Sequence, residues 1–184
     1  MHRSLLFVPG NRPDRFEKAC VSAADLVCID LEDAVGPGDK ASARETVLDF
    51  LAGTAHKHVA LRINAADTPY YDDDVRALSK SGLKLPFIMV PKLSSLSDLK
   101  SLDKALPDKC GPFFVLIESA KGLVNCEDIL SHKMVEYALY GAIDYAGDVG
   151  CDDLWETHLY ARSRMVAACA AHNVTLFDSP YPDV

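Results

Sequence analysis

Residues Leu26–Asp33 read L-V-C-I-D-L-E-D, an apolar run that closes on a cluster of carboxylates. A run that is apolar at nearly every position is typical of a strand buried on both faces, as in a parallel sheet covered by helices. Burying a charged group is costly unless it has a partner or a metal, so the ends of such strands are expected to meet at a polar site. Four further runs share this layout: His58–Asn64, Pro86–Lys92, Phe113–Glu118 and Tyr137–Asp144.

Strand and helix patterns alternate along the whole chain. This alternation produces βαβ units and a parallel sheet, and the lack of a G-x-G-x-x-G turn favours a TIM (β/α)8-type barrel over a dinucleotide-binding fold. The predicted strands are Ser4–Val8, Leu26–Leu31, Val59–Ile63, Phe87–Val90, Phe113–Ile117, Ala138–Ala142 and Val174–Phe177. The predicted helices are Asp14–Ala24, Asp39–Gly53, Asp72–Ser81, Ser97–Ala105, Glu127–Ser131 and Trp155–His172.

The length limits how much of a barrel this chain can build. A whole α/β barrel usually needs about 250 residues, whereas the sequence has 184. We therefore predict one incomplete α/β barrel domain over residues 1–184, with about seven strands present and the last strand missing. A barrel left open in this way would expose a strand edge, which invites association.

Composition and charge exclude several classes of function. The net charge of −8 argues against a nucleic-acid partner. No apolar stretch approaches the roughly 20 residues of a membrane span, and the N-terminus lacks the layout of a signal peptide. The six cysteines are scattered without a C-x-x-C pair, which favours free thiols over a zinc site or disulfides. A cytoplasmic location is the resulting prediction.

Glu118 and Asp144 are the candidate metal ligands. Each follows one of two successive predicted strands, so both would lie on neighbouring positions of one barrel rim. Two carboxylates together with water and substrate oxygens suit Mg²⁺. The alternative is that one or both pair with a nearby cation such as Lys121.

Arg62 is the candidate anion-binding residue, because it lies inside an apolar run. A buried arginine requires a carboxylate or phosphate in bidentate geometry. That partner is either an anionic substrate or a structural carboxylate, Glu32 or Asp33. Lys92 follows another predicted strand and could equally meet an anion or a carboxylate.

Two further groups of polar residues follow the first two predicted strands. Asn11, Arg12 and Arg15 could hold a phosphate, although interleaved acidic residues also suit a solvated surface. Alternation along the second strand places Asp30 and Glu32 on one face. This cluster is predicted to orient metal-bound waters, Arg62 or the loop backbone.

Taken together in one order, seven motifs resemble the citrate lyase beta-subunit-like branch of the HpcH/HpaI aldolase family. Each motif alone is weak, but the ordered set is specific and covers essentially the whole chain. The motifs are R-S-L-L-F-V-P-G-N-R-P-D-R-F from Arg3, D-L-E-D-A-V from Asp30, K-x-x-A-R from Lys40, L-R-I-N from Leu61, P-K at Pro91, L-I-E-S from Leu116 and G-A-I-D-Y from Gly141.

The resemblance implies a TIM barrel that binds Mg²⁺ and cleaves a 3-hydroxyacyl-CoA, such as citryl-, malyl- or citramalyl-CoA, into an acyl-CoA and a 2-oxo acid. It implies that Glu118 and Asp144 are the metal ligands and that Arg62 binds the substrate carboxylate. The same resemblance assigns further substrate-binding roles. It places Asn11, Arg12 and Arg15 in the CoA-binding loop, and Glu32 and Asp33 in the acidic motif beside the metal.

The sequence departs from the family pattern at its end. The family continues beyond F-D-S-P-Y-P-D-V with another helix, a last strand and a C-terminal lid, which in several members reaches a neighbouring subunit. These considerations lead us to predict a homo-oligomer, with an acyl-carrier thioester as an alternative to CoA. Two other functions remain open: an aldolase acting on a free hydroxy-oxo acid, and a non-catalytic truncated relative. The aldolases use a histidine near the second strand end, where Asp30–Val35 contains none.

Overall fold

The computed structural model describes residues 2–106 and 110–180. Val184, the end of the predicted domain, therefore lies outside the described residues. Within those ranges the strands are β1 Leu5–Pro9, β2 Leu26–Asp30, β3 Val59–Arg62, β4 Ile88–Val90, β5 Phe113–Ile117, β6 Val135–Tyr140 and β7 Thr175–Phe177. The helices are α1 Phe16–Cys20, α2 Lys40–Gly53, α3 Tyr71–Ser81, α4 Leu96–Ala105, α5 Ala120–Val124, α6 Cys126–Leu130, α7 Ala142–Val149 and α8 Trp155–His172, and short 3-10 turns precede α1 and α2.

The chain forms two compact units. The first contains residues 1–89 and 102–112, and the second contains residues 90–101 and 113–184. Each unit draws on two separate stretches of the chain, because one boundary falls inside β4 and another inside α4.

The first unit is built on parallel pairing of β1 with β2, of β2 with β3 and of β3 with β4. All five residues of β2 are buried, as its apolar sequence predicts. The register places Asp30 at the end of β2 opposite Arg62 at the end of β3. Parallel pairing therefore brings the two charged residues that close these strands side by side.

The second unit is built on parallel pairing of β5 with β6 and of β6 with β7. All five residues of β5 are buried, and stacked and tilted aromatic rings of Phe114, Tyr137 and Phe177 join the three strands. Glu118 comes directly after β5, so its side chain is attached at the point where the buried strand ends.

One predicted strand is displaced. β6 covers Val135–Tyr140 instead of Ala138–Ala142, and helix α7 occupies Ala142–Val149. Asp144 therefore lies in the first turn of a helix and not at a strand end, which corrects the sequence interpretation. The apolar run continues across Gly141 into the helix, so hydrophobicity alone does not mark the point where the strand stops. The spacing of apolar residues also did not predict the short helix α5.

In the described part of the chain, none of the helices has the length and apolar character that crossing a membrane requires.

Candidate functional site

In the first unit, Arg62 forms a bidentate ion pair with Asp30. Its Nε and Nη2 each lie 2.6 Å from one oxygen of the Asp30 carboxylate. Nη1 lies 3.1 Å from Oε2 of Glu32, and the guanidinium also lies 5.0 Å from the ring centre of Phe7. The structural alternative for Arg62 is therefore partly correct: Glu32 is a partner, but the bidentate partner is Asp30 and not Asp33.

The charge of Arg62 is secured by these neighbours. Burial by itself would lower its pKa, but the hydrogen bonds and negative charge of Asp30, with a contribution from Glu32, raise the pKa above its ordinary value. Arg62 is consequently a permanent cation, only 11% exposed, at the end of β3.

Asp30 also shapes the turn that carries the acidic motif. Its Oδ1 accepts a hydrogen bond from the backbone N–H of Glu32 at 2.8 Å, and its Oδ2 accepts one from Ala34 at 3.0 Å. Asp30 and Glu32 are buried, whereas Asp33 is exposed. Because β2 ends at Asp30 and Leu31 is buried as well, this division does not follow the predicted alternation of faces.

Lys40 is a buried residue whose role the sequence did not reveal. Its Nζ donates to the carbonyl oxygens of Leu31 and Glu32, at 2.6 and 2.7 Å, and to Oδ1 of Asn64 at 2.6 Å. Burial lowers the pKa of Lys40, while neighbouring carboxylates, Asp30 foremost, oppose that shift. The ammonium thus ties the acidic turn to the segment that follows β3.

Asp74 extends this network from helix α3. One carboxylate oxygen accepts from both the backbone and side-chain N–H groups of Asn64, at 2.8 and 2.6 Å, and the other accepts from Nε of Arg44 at 2.7 Å. Asp74 is 2% exposed, although it stands among acidic residues that resemble a solvated helix start. The sequence indicates the burial of Asp74 only through its position, since it lies on the apolar side of an amphipathic helix.

In the second unit, Glu118 is buried and accepts a hydrogen bond from the main chain. The backbone N–H of Lys92 donates to Oε1 at 2.7 Å. Lys92 itself has a φ of 51°, an uncommon value for a residue with a side chain, and its side chain is exposed. The amide of Lys92 thus helps to orient the Glu118 carboxylate, and the predicted role of its ammonium stays a prediction.

Because Gly141 has no side chain, there is room beside it for the Glu118 carboxylate. A Cβ atom at position 141 would lie 2.7 Å from Oε2 and 2.6 Å from Cβ of Glu118, which is too close for either contact. The N–H of Gly141 also donates to the carbonyl of Ile117 at 3.1 Å. Asp144 follows three residues later, exposed in the first turn of α7.

These features fit a small, hard cation. Carboxylate oxygens are the ligands that Mg²⁺ prefers, and it commonly keeps several waters beside one or two carboxylates. No group of three or more histidine, cysteine, aspartate or glutamate side chains assembles a metal cage among residues 2–106 and 110–180. Two carboxylates with water and substrate oxygens would be enough for such an ion, and the predicted pair of Glu118 and Asp144 stays a prediction.

The loop after β1 is already engaged in local polar contacts. Nδ2 of Asn11 donates to Asp39 at 3.0 Å, and Arg12 binds Asp14 through Nε and Nη2 at 2.9 and 2.7 Å. Arg15 is exposed. A phosphate binding here would have to compete with these exposed carboxylates, so the predicted CoA-binding role of the three residues stays a prediction.

Comparison with known proteins places these residues in context. Residues 3–184 match the family model described as HpcH/HpaI aldolase/citrate lyase. The L-malyl-CoA/beta-methylmalyl-CoA lyase of Cereibacter sphaeroides is 33% identical over 216 residues, which cover 99% of this chain and 67% of the relative. The citrate lyase subunit beta-like protein of Deinococcus radiodurans is 36% identical over 187 residues, which cover 96% of this chain and 64% of the relative. The chain thus spans about two thirds of the length of these curated relatives.

A solved structure shares the fold. The Mycobacterium tuberculosis protein CitE, crystallised in complex with magnesium, acetoacetate and coenzyme A, superposes with a TM-score of 0.86 at 27% identity. The match covers 100% of this chain and 67% of that protein. It confirms the predicted fold class, a TIM-type α/β barrel of which about seven strands are present.

Replacing Lys40 by Met should destabilise the first unit. The substitution preserves much of the side-chain volume but leaves three buried oxygens without the donor that Nζ supplies. We expect the free energy of unfolding to fall by about 2–4 kcal/mol, measured by urea denaturation. Lys18→Met, at an exposed position of α1, is the control and should change stability by less than about 0.5 kcal/mol. Equal effects of the two substitutions would contradict the proposed contribution of Lys40.

Replacing Gly141 by Ala should destabilise the second unit, because the added methyl collides with the Glu118 side chain. A loss of about 1–3 kcal/mol is typical of overpacking in a well-filled interior. Gly147→Ala offers a matched control, since no atom lies within 4 Å of its added Cβ and alanine favours a helix interior. Thermal unfolding should therefore move in opposite directions for the two variants. A rise in melting temperature for Gly141→Ala would refute the close packing against Glu118.

Proposed function

The chain belongs to the HpcH/HpaI aldolase/citrate lyase family, and on that premise we propose that it is a Mg²⁺-dependent carbon–carbon lyase of the citrate lyase beta-subunit type. The substrate is a 3-hydroxyacyl-CoA such as citryl-, malyl- or citramalyl-CoA, which is cleaved into an acyl-CoA and a 2-oxo acid. The names of the curated relatives support a lyase acting on this class of thioester. The magnesium and coenzyme A bound by CitE support the ion and the carrier.

The observation that carries the proposal is the setting of Glu118. Its carboxylate is buried, accepts a hydrogen bond from the N–H of Lys92 and lies in the space that Gly141 leaves open. Gly141 directly precedes the helix that bears Asp144. A carboxylate fixed in this way by backbone groups is preorganised, so little reorganisation is required when a cation binds. Such a pair of carboxylates is the chemistry expected of a Mg²⁺ site.

Cleavage requires loss of the proton from the 3-hydroxyl group and stabilisation of an enolate. Bound Mg²⁺ would lower the pKa of that hydroxyl and stabilise the negative charge that develops. In this proposal Glu118 and Asp144 would hold the ion, and Arg62 would bind the carboxylate of the departing 2-oxo acid. An arginine is charged throughout the working pH range, and Asp30 and Glu32 fix the orientation of this guanidinium.

The remaining predicted residues take supporting roles. Glu32 and Asp33 are substrate-binding residues in this proposal, and Asn11, Arg12 and Arg15 contact the CoA or an acyl-carrier thioester. We also propose a cytoplasmic location, which the six free cysteines support because a reducing compartment preserves thiols.

The test is a lyase assay of the full 184-residue chain with malyl-, citramalyl- and citryl-CoA, in Mg²⁺ and in EDTA. We expect release of acyl-CoA from at least one thioester only with the metal. Glu118→Gln and Asp144→Asn should each weaken Mg²⁺ binding by at least about tenfold in calorimetry, since even the groups behind a metal ligand commonly contribute that much. Asp128→Asn, at an exposed position of α6, should leave both measurements unchanged.

Three results would refute this function. Metal-independent turnover would exclude the ion from the mechanism. Cleavage of a free hydroxy-oxo acid without any thioester activity would indicate an aldolase. A folded chain that cleaves neither class of substrate would be a non-catalytic relative.

We further propose that the chain forms a homo-oligomer, because large apolar side chains are exposed around the start and outer face of α8. Apolar surface of this kind is typical of sites of association. We expect light scattering after gel filtration to show a mass that is a multiple of the 20.1 kDa chain mass. Leu159→Lys should shift that mass towards the monomer, whereas Val21→Lys, at a more exposed residue of the first unit, should leave it unchanged. A monomeric wild-type chain would refute the proposal. The exposed residues are Ile143, Leu154, Trp155, Leu159, Tyr160 and Val166.

A further inference from the structure

A buried histidine on helix α8 contacts a residue that ends β6. Nδ1 of His158 lies 2.7 Å from the hydroxyl oxygen of Tyr140, and Nε2 lies 2.9 Å from Oδ1 of Asp153. The Nε2 contact has ion-pair distance without the alignment of a hydrogen bond. His158 and Tyr140 are both almost fully buried, whereas the Asp153 side chain is 55% exposed. The imidazole of His158 therefore lies between Tyr140 and Asp153.

The hydrogen bond joins two side chains in a closely packed setting. Burial, with a smaller contribution from Tyr145, raises the pKa of Tyr140 above its ordinary value, so the phenol keeps its proton. A phenol can both donate and accept, so this bond to Nδ1 forms with either tautomer of the imidazole. The ring centre of Tyr145 lies 5.5 Å from that of Tyr140, and the Arg162 guanidinium lies 5.6 Å from the centre of the Tyr140 ring.

Tyr140 precedes the residue that makes room for Glu118. It is the last residue of β6, and Gly141 follows, where an added Cβ would lie 2.7 Å from Oε2 of Glu118. Helix α7 begins one residue later and carries Asp144 in its first turn. A movement of Tyr140 would therefore change both the space beside Glu118 and the start of the helix that bears Asp144.

We propose that His158 and Tyr140 are positioning residues, which fix the end of β6 and thereby hold Glu118 and Asp144 in the arrangement that binds a divalent cation. This inference rests on the proposed function of that pair. A buried imidazole and phenol are costly unless they bond to each other, and an apolar pair of similar size would fill the same space. Their hydrogen bond specifies one position for the strand end, which apolar packing alone would leave less defined.

The experiment measures the affinity of the full chain for Mn²⁺ by calorimetry, with thermal unfolding recorded for each variant. His158→Leu and Tyr140→Phe each remove the hydrogen bond, and we expect Mn²⁺ affinity to fall about tenfold, as for other groups that orient metal ligands. His158→Asn retains an acceptor near the position of Nδ1 and should restore most of the affinity. Tyr70→Phe, which deletes the same atom from a tyrosine of the first unit, is the matched control and should bind Mn²⁺ as wild type does.

The outcomes separate this inference from the proposed function. Wild-type affinity in Tyr140→Phe, whether or not its melting temperature falls, would show a purely structural contact and overturn the inference. Failure of His158→Asn to bind better than His158→Leu would overturn it as well. A wild-type chain that binds no Mn²⁺ would overturn the proposed function and this inference together. Tyr140→Phe removes a single oxygen, so the test does not depend on whether His158→Leu folds.

Discussion

The bidentate pair between Asp30 and Arg62 is the interaction on which the first unit's polar site depends. One carboxylate joins the ends of β2 and β3 and, through its contacts with the N–H groups of Glu32 and Ala34, sets the path of the acidic turn. A buried ion pair is seldom the most stable way to fill a core, because desolvation offsets much of the attraction. Its value here is geometric, since it fixes a permanent cation and an acidic loop in one orientation.

The network around this pair balances buried charge. Three carboxylates, on Asp30, Glu32 and Asp74, are matched by the cations of Lys40, Arg44 and Arg62 in a connected set of contacts. Asn64 links the two halves by accepting from Lys40 and donating to Asp74. The members of this network are one another's partners, so removal of one side chain leaves several buried groups without theirs. The loss of stability from each substitution should therefore depend on the other members of the network.

The sequence was sufficient to place residues that stand at the end of a buried apolar run. Glu118 directly follows the five buried residues of β5, and Arg62 is the last residue of β3, whereas their functional roles stay predictions. Asp144 was misplaced because the apolar pattern of β6 continues past Gly141 into α7, where periodicity gives no boundary. Lys40 and Asp74 were missed for a different reason. Their partners lie on other elements of the chain, 8 to 24 residues from Lys40 and 10 to 30 residues from Asp74, and the pattern within one helix does not report such pairs.

The two units hold their strand-end carboxylates in different settings. Asp30 and Glu32 lie against the full positive charge of Arg62, so a divalent cation would have to compete with the guanidinium for them. Glu118 accepts a hydrogen bond from the backbone N–H of Lys92 and stands where residue 141 has no side chain, so the main chain shapes its position from two sides. The acidic turn is therefore suited to fixing the orientation of Arg62 rather than to binding a cation directly.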